Sequence, residues 1–146
     1  EAQIVDMMIL SQRLGMTVLL EVHSTENLLR VRPHVGFPHP SYCLLGINNR
    51  DLTTMTVDIG QSVRLADLVE NRSILVSESG IRTHEDLVRL RRSEIQIVLV
   101  GETLMREDDP GVALAELLHP PGGSENEAGD TSTGDTKTGD NEAGGG

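Results

Sequence analysis

Glu21, Asn48, Arg50, Glu78, Ser79 and Glu102 are the side chains best suited to chemistry, and they sit at or just beyond the ends of short apolar runs. Carboxylates move protons, an amide orients an oxygen, a guanidinium holds an anion and a hydroxyl adds a hydrogen bond. Gly80 and Gly101 stand among them, where glycine lets the backbone turn sharply or approach a ligand closely. The fullest instance is Ile74-Leu75-Val76-Ser77-Glu78-Ser79-Gly80-Ile81, a buried strand with a polar tip and a glycine turn. Ile95–Val100 followed by Gly101-Glu102-Thr103 repeats the arrangement. Two such turns predict a phosphate cradle of backbone N–H groups. A carboxylate pair, Glu21 and Glu78, predicts acid–base work, because each raises the other's proton affinity when they are close. A blander arrangement has the same spacing: Glu21 and Glu78 pairing with Arg50, and Asn48 capping a loop. Spacing alone does not separate the two.

The segments that must position these residues alternate in character. Ile4, Val5, Met8, Ile9 and Leu14 lie near helical spacing, and Gly15 is placed to end that helix. Thr17–Leu20 reads as a buried strand with Glu21-Val22-His23 as its polar end. Ser24 is expected to cap a short helix with Leu28, Leu29 and Val31 inward. Residues 32–42 carry Pro33, Pro38 and Pro40 and read as an irregular loop. His34 and His39 lie there with no tight ligand spacing, so no metal site is expected. Cys43–Ile47 is the next strand, ending in Asn48-Asn49-Arg50-Asp51. Asp58–Glu70 predicts a helix with Ile59, Val63, Leu65, Ala66, Leu68 and Val69 as its apolar set. Thr83 and Asp86 predict a capping-box start to a helix over 83–92, burying Leu87, Val88 and Leu90. Asp109-Pro110 opens a last helix, with Val112, Ala113, Leu114, Leu117 and Leu118 toward the core.

The net charge is −11, and neither half of the chain offers a basic patch for nucleic acid. No apolar run approaches the ~20 residues of a membrane span, and no secretory h-region is seen. A single cysteine, Cys43, fits a reducing compartment and a cytoplasmic setting. Residues 1–118 are read as the folded part. Residues 119–146, with Gly-Asp recurring at 129, 134 and 139 and almost no apolar side chains, read as a disordered acidic tail. Glu1–Leu14 reads as a helix already under way, so the chain is expected to be a fragment.

Four strands beginning near 17, 43, 73 and 95, with helices between them, predict an α/β fold with right-handed parallel crossovers. A parallel sheet gathers its strand ends on one side, where barrels and open sheets both place their sites. No Gly-x-Gly-x-x-Gly follows the first strand, and the two late glycine turns suit the phosphate site of a (β/α)8 barrel.

Four segments of this chain resemble the indole-3-glycerol phosphate synthase family: Leu19–His23, Leu45–Leu52, Leu75–Ile81 and Leu99–Met105. Asn-Asn-Arg-Asp-Leu together with Val-Ser-Glu-Ser-Gly-Ile, at this separation, is the specific part. The likeness covers about residues 1–118. It implies the C-terminal half of a (β/α)8 TIM barrel, strands five to eight. It also implies ring closure of 1-(2-carboxyphenylamino)-1-deoxyribulose 5-phosphate with loss of CO2 and water, in tryptophan biosynthesis, without metal or organic cofactor. By resemblance Glu21 is the catalytic carboxylate. Asn48 positions the substrate with Arg50 beside it, Glu78 and Ser79 contact the sugar-derived chain, and Gly80, Gly101 and Glu102 hold the phosphate through the backbone. The family's catalytic lysines lie on earlier strands, and no lysine precedes Lys137 here. The isolated chain is therefore expected to be inactive, and to need the N-terminal half or to associate with itself through exposed edges. The alternatives are a catalytically incomplete half-barrel that binds phosphate or needs a partner, and a related phosphate-binding barrel isomerase.

Overall fold

Local signals set most of the boundaries. Helix α1 (Ala2–Arg13) stops where Gly15 takes φ +69°. There the Met16 N–H reaches Ser11 O and the Gly15 N–H reaches Gln12 O, the paired bonds of a Schellman stop. Ser24 caps helix α2 (Thr25–Val31) by accepting from the Asn27 N–H. Thr83 and Asp86 form the full capping box at helix α4 (His84–Arg92). Asp109 accepts from the N–H groups of Gly111 and Val112 at the start of helix α6 (Pro110–Leu118), with Pro110 in the first turn. The computed structural model describes residues 2–35 and 43–120. The expected acidic tail, apart from His119 and Pro120, lies outside the described residues, as do Glu1 and the loop segment 36–42 that holds His39.

Four parallel strands form one sheet in the order β1 (Val18–Val22), β2 (Cys43–Asn48), β3 (Leu75–Glu78), β4 (Ile97–Leu99). With the helices between the strands, this is the expected α/β alternation, and it is consistent with part of a TIM barrel. Register aligns Leu20 with Leu45 and Leu45 with Leu75, so these point together. They join Val22, Leu28, Ile47, Leu65, Leu90 and Leu117 in one core under the helices. The opposite face receives Leu19 and Glu21 from β1, Gly46 and Asn48 from β2, Val76 and Glu78 from β3, and Ile97 and Leu99 from β4. Nothing among the described residues covers much of it: Leu19 is 39% exposed, Ile97 37% and Leu99 48%. Among the described residues, strands β1 and β4 each have a single neighbour.

Several expectations need correction. The helix expected over Asp58–Glu70 is only Gly60–Ala66, α3. The chain then tightens into i→i−3 turns, Leu68 to Leu65 and Val69 to Ala66, and Leu68 is exposed. In α2, Leu28 and Val31 are buried but Leu29 is 54% exposed, because it lies about 100° around the helix from Leu28. In α6 only Leu117 is buried, while Val112, Leu114 and Leu118 face outward. That helix lies at the margin of the sheet, touching α4 and the short helix α5 (Glu102–Met105). Strand β4 is three residues rather than six, the length over which it pairs with Val76–Glu78 of β3. Ile74 belongs to a 3₁₀ turn, and β3 continues through Ser77 and Glu78, so all four of its residues are buried. The polar tip thus begins inside the strand.

Candidate active site

The ends of the strands meet as a chain of hydrogen bonds. Asn48, at the end of β2, donates from Nδ2 to Glu21 Oε1 at 2.7 Å. Its Oδ1 accepts from the Arg50 N–H at 2.9 Å, which fixes the amide orientation. His23 Nε2 lies 3.5 Å from the same Glu21 oxygen. Glu78 is aligned with Asn48 in the β2–β3 register and is only 6% exposed. Among the described residues its Oε1 is buried without a hydrogen-bond partner, as is His23 Nδ1. Burial, then the nearby Glu21 charge, push the Glu78 carboxyl above the ordinary carboxylate value, and His23 opposes the effect weakly. The site therefore holds two carboxyl groups in different surroundings, one half-exposed and hydrogen-bonded to Asn48, the other buried with its Oε1 unpartnered among the described residues.

Beyond them lies a cavity of about 450 Å³ between the ends of β3 and β4. Arg50, Ser79, Gly80, Arg82, Gly101 and Arg106 are among its walls. Gly80 and Gly101 thus share one cavity. Gly80 has φ +79°, and a Cβ there would overlap Val57 Cγ1, so no other residue fits without displacement. Gly101 has open space where a Cβ would be. Thr103 Oγ1 donates to Ile81 O at 2.6 Å and ties the two turns together.

Arg50 does not pair with Glu21 or Glu78. It donates to Glu102 Oε2 at 2.6 Å, and Arg106 reaches Glu102 Oε1 at 2.7 Å. The Glu102 side chain is therefore engaged by two arginines on the cavity wall, which leaves its backbone as the part suited to a phosphate.

A second set of residues, not foreseen as functional, holds the tip in shape. Asn49 is 1% exposed. It donates from Nδ2 to Ser77 Oγ and to Ser79 O, both at 3.0 Å, and accepts at Oδ1 from the Ser62 N–H and Ser62 Oγ at 3.0 and 2.8 Å. Ser62 and Ser77 hydroxyls are 2.7 Å apart. The proton inventory closes only one way: Asn49 donates to Ser77, Ser77 to Ser62, and Ser62 back to Asn49. This buried ring joins β2, α3 and β3. It also holds Ser79, whose φ of +69° is costly for a residue with a side chain. The sequence signal was Asn49 beside Asn48, but nothing local distinguished the structural amide from the one in the site.

His34 ends a 3₁₀ turn, Arg32–His34. Among the described residues no cluster of three or more His, Cys, Asp or Glu side chains is arranged to hold a metal ion. No helix among them is long and apolar enough to cross a membrane.

The family model for indole-3-glycerol phosphate synthase matches residues 1–117. An indole-3-glycerol phosphate synthase of Polaromonas naphthalenivorans is 44% identical over 117 residues, covering 80% of this chain and 42% of the relative. That of Magnetococcus marinus is 44% identical over 108 residues, covering 74% and 38%. That of Legionella pneumophila is 39% identical over 118 residues, covering 81% and 43%. The chain spans about two fifths of the length of the curated relatives it matches. The strand-end motifs, the parallel sheet that gathers them and a match over most of the chain agree: this polypeptide belongs to the indole-3-glycerol phosphate synthase family.

Proposed function

We propose that this chain is the phosphate-bearing half of an indole-3-glycerol phosphate synthase, a (β/α)8 barrel lyase of tryptophan biosynthesis in the cytoplasm. In this reading residues 1–118 supply strands five to eight. The observation that carries it is the convergence of Glu21, Asn48 and Glu78 beside a cavity walled by Gly80 and Gly101.

Each residue has a role that its surroundings suit. The phosphate sits in the cavity, against the N–H groups of the two glycine turns and the Ser79 hydroxyl, with Arg50 and Arg82 balancing its charge. Asn48 orients Glu21, and Glu21 takes a proton as the ring closes. Glu78, which holds its proton to higher pH than an ordinary carboxyl, supplies one during dehydration. The reaction's remaining acid would come from lysines of the N-terminal half, since this chain has none before Lys137. No metal or organic cofactor is part of the scheme.

The uncovered sheet face and the single-neighbour edges β1 and β4 support a missing half as the natural partner. Alone, the chain should be inactive and associate with itself; a monodisperse, cooperatively melting monomer in light scattering and calorimetry would contradict this. The activity test is made with the polypeptide that carries both halves. It should form indole glycerol phosphate and release CO2, and Glu21→Gln should lower kcat by ~10²-fold or more. Unchanged kcat would remove Glu21 from the mechanism.

A further inference from the structure

Gly46 lies in the middle of β2, paired with Glu21 on one side and Val76 on the other. It is buried, yet its backbone is ordinary strand, so conformational freedom does not explain a glycine there. The space beside it does. A Cβ on Gly46 would overlap Glu78 Oε1 and approach Glu78 Cδ to 3.0 Å and Leu19 Cδ1 to 3.2 Å. The Glu78 carboxylate therefore occupies the volume that any other side chain at position 46 would fill.

We propose that Gly46 is a positioning residue: its missing side chain is the slot that seats the Glu78 carboxyl group in the interior of the sheet face. Three observations meet here. Glu78 is 6% exposed although the face around it is open. Its Oε1 has no hydrogen-bond partner among the described residues, so the space beside Gly46, and not a donor, accommodates that oxygen. On the neighbouring strand Glu78 is paired with Asn48, and Gly46, two residues earlier on the same face, is the diagonal neighbour that leaves room for the carboxyl group. With the slot filled, the carboxyl swings out toward the uncovered face, where water solvates it. It then stops being the dry acid of the pair. The inference rests on the reading of Glu78 as part of the site, and extends it to a residue that touches no substrate.

The test uses Gly46→Ala in the full chain, with the Glu78 side-chain carbon followed by NMR through a pH titration. The Glu78 midpoint should fall into the ordinary carboxylate range while the rest of the spectrum is retained. An unchanged midpoint in folded Gly46→Ala overturns the proposal. If Gly46→Ala does not fold, Gly46→Ala/Glu78→Ala should, because the overlapping group is gone; failure of the double variant overturns it as well. In the polypeptide carrying both halves, Gly46→Ala should lower kcat about 100-fold, the cost of misplacing a group by 1 Å, with KM little changed. In a Glu78→Gln background the same change should cost less than about 3-fold, since the coupling is then lost. An equal loss in both backgrounds overturns the inference. Full activity of Glu78→Gln would instead dismiss Glu78 from the reaction, and the titration would still decide what Gly46 does.

Discussion

Replacing Asn49 with alanine removes the ring that joins β2, α3 and β3. Four hydrogen bonds end on that side chain: two donated by Nδ2, to Ser77 Oγ and Ser79 O, and two accepted by Oδ1, from the Ser62 N–H and Ser62 Oγ. Each is worth about 1 kcal/mol net, and a buried group left without a partner costs about 1–3 kcal/mol. The Ser62 and Ser77 hydroxyls can still bond each other at 2.7 Å, which recovers part of the loss. The Ser62 N–H has no such refuge, because α3 has no side-chain cap of its own at Ile59, and the Ser79 carbonyl loses its Asn49 donor. Asn49→Ala should therefore destabilise by about 3–5 kcal/mol. Ser62→Ala, which deletes one hydroxyl and two of the ring's bonds, should cost about 1–2 kcal/mol. Urea denaturation at one fixed protein concentration, followed by circular dichroism, gives both values, the fixed concentration excluding shifts from association. A loss below about 1 kcal/mol for Asn49→Ala, or an equal loss for both variants, would refute the ring as the support of the tip.

Two further outcomes follow from single residues. Glu78 has a folded-state pKa above its unfolded value, through burial and the Glu21 charge. Its shift therefore contributes stability that is fully present below the unfolded pKa of about 4.3 and is lost as pH rises through the folded pKa. Glu78→Gln should gain on the wild type across that window and level off above it, as paired denaturations at pH 4 and pH 8 would show; a constant difference contradicts the assignment. Gly80→Ala should lose about 1–2 kcal/mol from its left-handed backbone and more from the overlap with Val57, whereas Gly15→Ala, at φ +69° with open space around it, should lose the backbone share alone. Thermal melts of the two compare them, and equal losses would mean Val57 yields freely.

Much of the scaffold was legible from local chemistry. Gly15, Ser24, the Thr83–Asp86 box and Asp109-Pro110 each satisfy backbone groups within a few residues, so their effect needs no knowledge of the rest of the chain. The gathering of polar strand ends was legible too, because parallel pairing forces it. The length of α3 was not: Leu68 and Val69 keep a helical spacing although the chain tightens after Ala66. The exposure of Val112, Leu114 and Leu118 was not legible either, since periodicity reports an apolar stripe and not whether anything covers it. Ser62 and Ser77 read as ordinary polar residues, and only the fold brings them against Asn49. Glu102 is expected among the phosphate contacts by resemblance alone, and the structure adds that Arg50 and Arg106 hold its side chain. Gly46 shows the same limit, because its partner Glu78 is 32 positions away in the chain and adjacent only in the sheet.

The proposed function turns on the binding of one anion between two glycine turns. A titration of the 15N-labelled chain with a phosphate monoester reads it residue by residue. Saturable shifts should appear at the amides of Ser79, Gly80, Gly101 and Glu102, and Gly101→Ala, which has room for its methyl group in the fold, should abolish them without lowering the melting temperature. Shifts confined to the arginines of α4, or none at the two turns, would contradict it.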